Sequence, residues 1–254
     1  MLLAIDIGNT NIAIGLFNKN KLVEHWWVKS ERDKTRDEYS ILILELLSLA
    51  GLVKSKITGV IISSVVPPLT PVFQALSRSL FQKKPMIVGP GLKTGMSILY
   101  ENPQEVGADR IVASISAYDK FAGPVIICDF GTATTFDVVS GQGEYLGGAI
   151  APGIKISAEA LYIRTAKLPH VEIRKPDTAI GRTTVTSIQS GLYFGYIGLV
   201  TNIIREIIKE LGGQATVVST GGFAGKVFQD IDVIDHYEPH LVLEGLRILY
   251  DRNI

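Results

Sequence analysis

Ala4-Ile-Asp-Ile-Gly-Asn-Thr-Asn11 stands near the start of the chain, and Ile127-Cys-Asp-Phe-Gly-Thr-Ala-Thr134 echoes it in the middle. Each is an apolar run, then Asp, one apolar residue, Gly and a patch of small polar residues. Each returns to an apolar run, Ile12-Ala-Ile-Gly-Leu-Phe17 in the first and Thr135-Phe-Asp-Val-Val139 in the second. The pattern reads as strand, tight turn, strand, with Asp6 and Asp129 at the ends of their first strands. Gly lets backbone approach a ligand, and Asn and Thr add short donors. One such turn is also what an ordinary hairpin requires. The pair points to a duplicated fold that grips a polyphosphate from both halves.

Working outward, Lys21–Val28 reads as a third strand, and residues from Asp37 to Ala50 have helical spacing with Gly51 as a stop. Val60–Val66 reads as a buried strand closed by Pro67-Pro68, with Thr70 as a helix cap and Pro71 at the first helical position. Pro85–Val88 is a short strand. Asn102, with Glu105 three residues on, predicts a helix running to about Phe121. The second half restarts at Val125, continues through Glu144–Gly153, and holds a long helix from Thr186 to Leu211. Thr216–Ser219 is a strand leading into Thr220-Gly-Gly222, and Leu241–Tyr250 is a last helix. Strands alternating with helices give an α/β fold with mixed sheets, and the cleft between the halves is the expected site. The boundary falls near residues 115–122, which divides the chain into 1–117 and 118–254.

Composition narrows the class. The chain has 254 residues, 46% of them hydrophobic and 20% charged, with a formal net charge of zero. Nothing in that balance favours nucleic acid or a membrane surface as partner. The single cysteine, Cys128, has no internal disulfide partner and lies in the apolar run Val125–Cys128, so a buried structural thiol is expected. No basic segment precedes the N-terminal apolar stretch, and no apolar run reaches the ~18–20 residues that span a bilayer. A cytoplasmic protein is expected.

Other segments carry chemistry with less specificity. Gly107-Ala-Asp-Arg110 falls within the helix predicted from Asn102, among apolar neighbours. It reads either as half of an exposed charged stripe or as a site where Gly107 admits a substrate, Asp109 takes a proton and Arg110 grips an anion. Thr220-Gly-Gly222 suits a base and ribose lying on bare backbone, though a strand-to-helix turn needs Gly on steric grounds alone. Gly225-Lys226 is no P-loop, because position 220 is Thr and 227 is Val. His25, His170, His236 and His240 lack metal-ligand spacing. Gly191, Gly195 and Gly198 on the long helix permit tight packing or a dimer interface.

Taken in order, Asp6-Ile-Gly-Asn-Thr-Asn11, Gly107-Ala-Asp-Arg110, Asp129–Thr134, Gly147–Gly153 and Thr220-Gly-Gly222 closely resemble the type III pantothenate kinases of the acetate kinase/hexokinase/Hsp70/actin superfamily. The resemblance spans essentially the whole chain. It implies two ribonuclease H-like halves with ATP in the cleft, a homodimer, and transfer of the γ-phosphoryl group to pantothenate, the first step of coenzyme A synthesis. It also implies Mg²⁺ with ATP and a monovalent cation, K⁺ or NH4⁺. On the same resemblance Asp6, Ile7, Gly8, Asn9, Thr10, Asn11, Ile12 and Ala13 form the first phosphate loop, Thr132 belongs to the second, and Asp129 ligates the monovalent cation. Asp109 is the base, and Tyr100, Gly107, Ala108, Arg110 and Thr184 line the pantothenate pocket, Thr184 from the partner subunit. Thr183 stands where family members often carry Asn or another polar residue. Another small-molecule kinase on the same fold, or a non-catalytic transcriptional accessory relative, are the competing readings.

Overall fold

The alternation of Leu2–Ile7 and Asn11–Asn18 about a glycine turn yields the hairpin β1 (Leu2–Ile7) and β2 (Asn11–Asn18), in register Asp6 to Ala13 and Ile7 to Ile12. The Gly8 N–H donates to the Asn11 carbonyl at 3.1 Å and closes the turn. The computed structural model describes the backbone of residues 1–254 and the side chains of all but 226–228. Strand β3 (Lys21–Lys29) extends the hairpin, and α1 (Arg36–Leu49) follows, capped by Thr35 in a reciprocal bond with Glu38. Then come β4 (Gly59–Ser64), parallel to β1, α2 (Leu69–Phe81), and β5 (Met86–Ile87), parallel to β4. The sheet order is β3-β2-β1-β4-β5. Leu3, Ile5, Ile7, Val60 and Ile62 pack with Tyr39 and Ile43 of α1 and Phe73 and Leu76 of α2.

Two helix starts differ from expectation. Helix α2 begins at Leu69 with Pro68 at the cap position, so Thr70 and Pro71 lie inside the first turn. Proline costs little there, because first-turn N–H groups lack intrahelical acceptors. The Thr70 hydroxyl bonds Ser64 Oγ at 2.9 Å instead of capping. Asn102 does cap, accepting from Gln104 N at 3.3 Å, but it caps only a 3₁₀ turn over Pro103–Glu105. The chain then extends through Val106, and α3 (Ala108–Phe121) starts afresh. Gly107-Ala-Asp-Arg110 therefore sits at a helix N-terminus and not within a helix.

The second sheet repeats the first. It comprises β6 (Val125–Phe130), β7 (Ala133–Val139) and β8 (Tyr145–Pro152), then α4 (Ile154–Arg164), α5 (Thr184–Glu210), β9 (Thr216–Thr220), a helical turn α6 (Ala224–Val227) and β10 (His236–Tyr237). Strands β6, β7 and β8 form an antiparallel meander, β9 runs parallel to β6, and β10 runs parallel to β9. Read from β8, the order β8-β7-β6-β9-β10 matches the first sheet strand for strand. Ile126, Cys128, Phe130 and Phe136 pack on Tyr193, Tyr196, Val200 and Ile204 of α5. Cys128 is fully buried, and burial pushes its thiol far above the usual range. At Gly191, Gly195 and Gly198 an added Cβ would meet nothing within 4 Å among the described residues, so no close packing of the described residues holds this side of α5.

One compact unit is Met1–Lys120 with His240–Ile254, and the other is Phe121–Pro239. The terminal helix α7 (Leu241–Asn253), expected in the second half, belongs to the first. A sheet covered on both faces needs helices on both, and α1 and α2 cover only one. Helix α7 covers the other: a Cβ at Gly15 would lie 3.0 Å from Leu243, and one at Gly59 would overlap the Tyr250 ring. Leu241, Leu243, Leu246, Ile248 and Leu249 are buried by this packing.

Candidate active site

In the first unit the β1–β2 turn presents Asn9, Thr10 and Asn11 at the surface beside the half-buried Gly8, while Ile7 and Ile12 are fully buried and offer only backbone. Asp6 is half-buried, level with Ala13 on β2 and Ser63 on β4. The segment after β3 is stitched to this turn. Ser30 N–H donates to the Thr10 carbonyl at 2.9 Å, and Arg32 Nη2 donates to Asn9 Oδ1 at 3.3 Å. Lys29 is the register partner of Asn11. Neither cation was singled out from sequence; the available signal was the run Lys29-Ser-Glu-Arg32 directly after a strand paired to the turn.

Asp109 is the second residue of α3. The Gly107 carbonyl accepts from Arg110 N–H at 3.1 Å and Ile111 N–H at 3.3 Å, which opens the helix. Asp109 Oδ1 accepts from Arg110 N–H at 2.8 Å. Burial pushes the Asp109 carboxyl above the usual carboxylate range, against the opposing pull of the Arg110 N–H and of its guanidinium charge. A Cβ at Gly107 would press on the Asp109 carboxylate at 2.5 Å and displace it. It would also lie 3.7 Å from Val65, whose N–H donates to the Ile7 carbonyl at 3.0 Å. Val65 thus links the Gly107–Arg110 segment and the β1–β2 turn within one unit. Ala108 and Arg110 share that helical turn, and Tyr100 is half-buried in the irregular segment between β5 and α3.

In the second unit Asp129 occupies on β6 the place Asp6 holds on β1, with Thr135 and Thr220 as register partners. Gly221 follows Thr220 with φ +93°, and a Cβ there would overlap the Asp129 carboxylate and approach Phe130 N to 2.7 Å. Thr132 is the exposed tip of the β6–β7 turn, and its carbonyl accepts from Gly153 N–H at 3.2 Å. Behind the turn, Thr134 Oγ1 and the Tyr196 hydroxyl are 2.6 Å apart. The deeply buried Asp137 accepts from Tyr145 OH at 2.7 Å and Thr135 Oγ1 at 3.0 Å. Thr184 is the exposed first residue of α5, and Thr183 is its cap, bonded reciprocally with Thr186.

Among the described residues no group of three or more His, Cys, Asp or Glu could hold a metal. Asp129 and its threonine register partners are oxygen donors, which suits an alkali or alkaline-earth cation and not a transition metal. Among the same residues no helix is long and apolar enough to cross a membrane.

Two copies of one five-stranded sheet, each with Asp near the end of its first strand, define an α/β fold shared with small-molecule kinases. The ROK hexokinase of Thermus thermophilus is similar over 99% of both chains, with TM-score 0.52 and 14% identity. A structure from Campylobacter jejuni named for the Baf transcriptional activator family is similar over 99% of this chain and 98% of that one, with TM-score 0.62 and 20% identity. The chain belongs to the type III pantothenate kinase family, whose model it matches over residues 2–206. It is 53% identical over 253 residues to the type III pantothenate kinase of Geobacter sulfurreducens, covering all of this chain and 99% of that one. It is 51% identical over the full length of both chains to that of Moorella thermoacetica.

Proposed function

We propose that this protein phosphorylates pantothenate at the expense of ATP, and that Asp109 is its base. The observation that carries the reading is the buried carboxylate of Asp109 on the first turn of α3, linked through Val65 to the Asp6–Ala13 turn. Full-length identity of about one half to type III pantothenate kinases supports this substrate over that of another kinase, and over a non-catalytic accessory role.

Phosphoryl transfer rests on positioning and charge stabilisation. The pantothenate hydroxyl oxygen bonds to the γ-phosphorus as the bond to the β–γ bridging oxygen breaks, and ADP leaves. Asp109 receives the hydroxyl proton, and its raised pKa makes it a better acceptor than an exposed carboxylate. Tyr100, Gly107, Ala108 and Arg110 bind pantothenate, Arg110 pairing with its carboxylate, and Thr184 reaches the pocket of a second copy. The exposed turn from Gly8 to Asn11, the backbone of Ile7, Ile12 and Ala13, and Thr132 hold phosphate oxygens. Mg²⁺ would accompany ATP, with Asp6 the residue that would hold it, and Asp129 would hold K⁺ or NH4⁺, a cation that would offset phosphate charge. The enzyme works as a cytoplasmic homodimer, and the open glycine face of α5, with the exposed Phe194 next to Gly195, is the contact.

A coupled assay with pantothenate, ATP, Mg²⁺ and K⁺ tests the reaction, and ADP release that is independent of pantothenate would overturn it. Equal turnover in Na⁺-only buffer would remove the role given to Asp129. Sedimentation at twice the 27.6 kDa chain mass is expected, with Phe194→Asp shifting the enzyme to monomer.

A further inference from the structure

The rim of the first phosphate turn carries two cations that lack ion-pair partners among the described residues. Lys29 stands across from Asn11, and the exposed Arg32 has as its partner only the neutral amide oxygen of Asn9. The segment that carries Arg32 is held firmly. The buried Tyr39 hydroxyl donates to the Glu31 carbonyl at 3.1 Å and accepts from Glu31 N–H at 3.0 Å. Lys34 takes up the Glu31 carboxylate at 2.8 Å, and the Ser30 N–H is bonded to Thr10. Glu31 is thereby neutralised locally, while the guanidinium beside it gives one of its five donors to Asn9 on the turn and keeps four more.

A guanidinium so placed suits phosphate oxygens, which accept its paired N–H groups far better than an amide oxygen does. We propose that Arg32 is a phosphate-binding residue of the nucleotide site: when ATP binds, its guanidinium leaves the Asn9 amide and takes a phosphate oxygen held on the Gly8–Asn11 turn. The assignment rests on the reading that this turn holds ATP.

Calorimetric titration with a non-hydrolysable ATP analogue tests it, alongside steady-state kinetics. Arg32→Gln is expected to weaken nucleotide binding by about tenfold or more and to leave the pantothenate KM unchanged, and Arg32→Lys is expected to recover part of the loss. Arg32 is exposed, so the Tm of both variants should match the wild type. Amide exchange over residues 8–11 with and without nucleotide separates the two readings. No protection there overturns both the turn assignment and the role of Arg32. Protection there, with Arg32→Gln binding within about threefold of wild type, overturns the role of Arg32 alone.

Discussion

Asp109 shows how a single burial sets both reactivity and stability. Replacing it by Asn removes the proposed proton acceptor but keeps the shape. The kcat of Asp109→Asn is expected to fall about 10²–10⁴-fold while ATP still binds, measured by the coupled assay and by calorimetry. The same burial makes the ionised carboxylate a liability for folding. Below the unfolded value of about 3.9, Asp109 is protonated in folded and unfolded chains alike and contributes nothing. Between that value and the raised folded value the folded chain binds more proton, so stability falls as pH rises through the window. Asp109→Asn should accordingly have a higher Tm than wild type at pH 8, and the two melting curves should converge toward pH 4 in a thermal scan. The wild-type rate should fall on the acid side as the same carboxyl is protonated.

At the scale of elements, the proposed site residues gather where helices and strands begin or end. Thr183 and Thr184 are adjacent, yet one caps α5 and the other faces solvent. Thr183→Ala should cost about 1 kcal/mol in urea unfolding with little effect on kinetics, and Thr184→Ala should raise the pantothenate KM with unchanged stability. Gly221→Ala forces a side chain into a left-handed backbone against Asp129 and Phe130. It should destabilise by more than about 1 kcal/mol and abolish any difference between K⁺ and Na⁺ buffers. Both glycine turns were legible in the sequence because continuous apolar runs bracket an Asp, a Gly and a patch of small polar residues. The start of α3 was not, because Asn102-Pro103 opens a 3₁₀ turn with the same residues that open an α-helix, and only Val106, extended with ψ 124°, marks the break. Arg32 was hidden in a run of alternating charges that a solvated loop would also carry. Its meaning comes from Asn9, far away in sequence.

On the scale of the whole chain, the duplicated sheet was legible from the repeat alone, since matching strand patterns impose matching strand orders. The allegiance of the last helix was not, because an amphipathic pattern tells that a face is buried and not against what. Helix α7 buries five aliphatic side chains, each worth roughly 1.5–3 kcal/mol relative to exposure, which together rival the 5–15 kcal/mol stability of a typical protein. Removing residues 240–254 should therefore unfold or loosen the first unit, seen as faster amide exchange in β1 and β4, and spare β6 and β9. The unit Phe121–Pro239 is one unbroken stretch of chain, whereas its companion is closed by residues made after that stretch is complete. During synthesis at about 5–20 residues per second, the 15 residues of 240–254 follow the completed middle unit by about one to three seconds. The Gly8–Asn11 turn therefore gains its finished support only when α7 docks, and until then the bare face of β1 and β4 is open to any chaperone that binds apolar sheet.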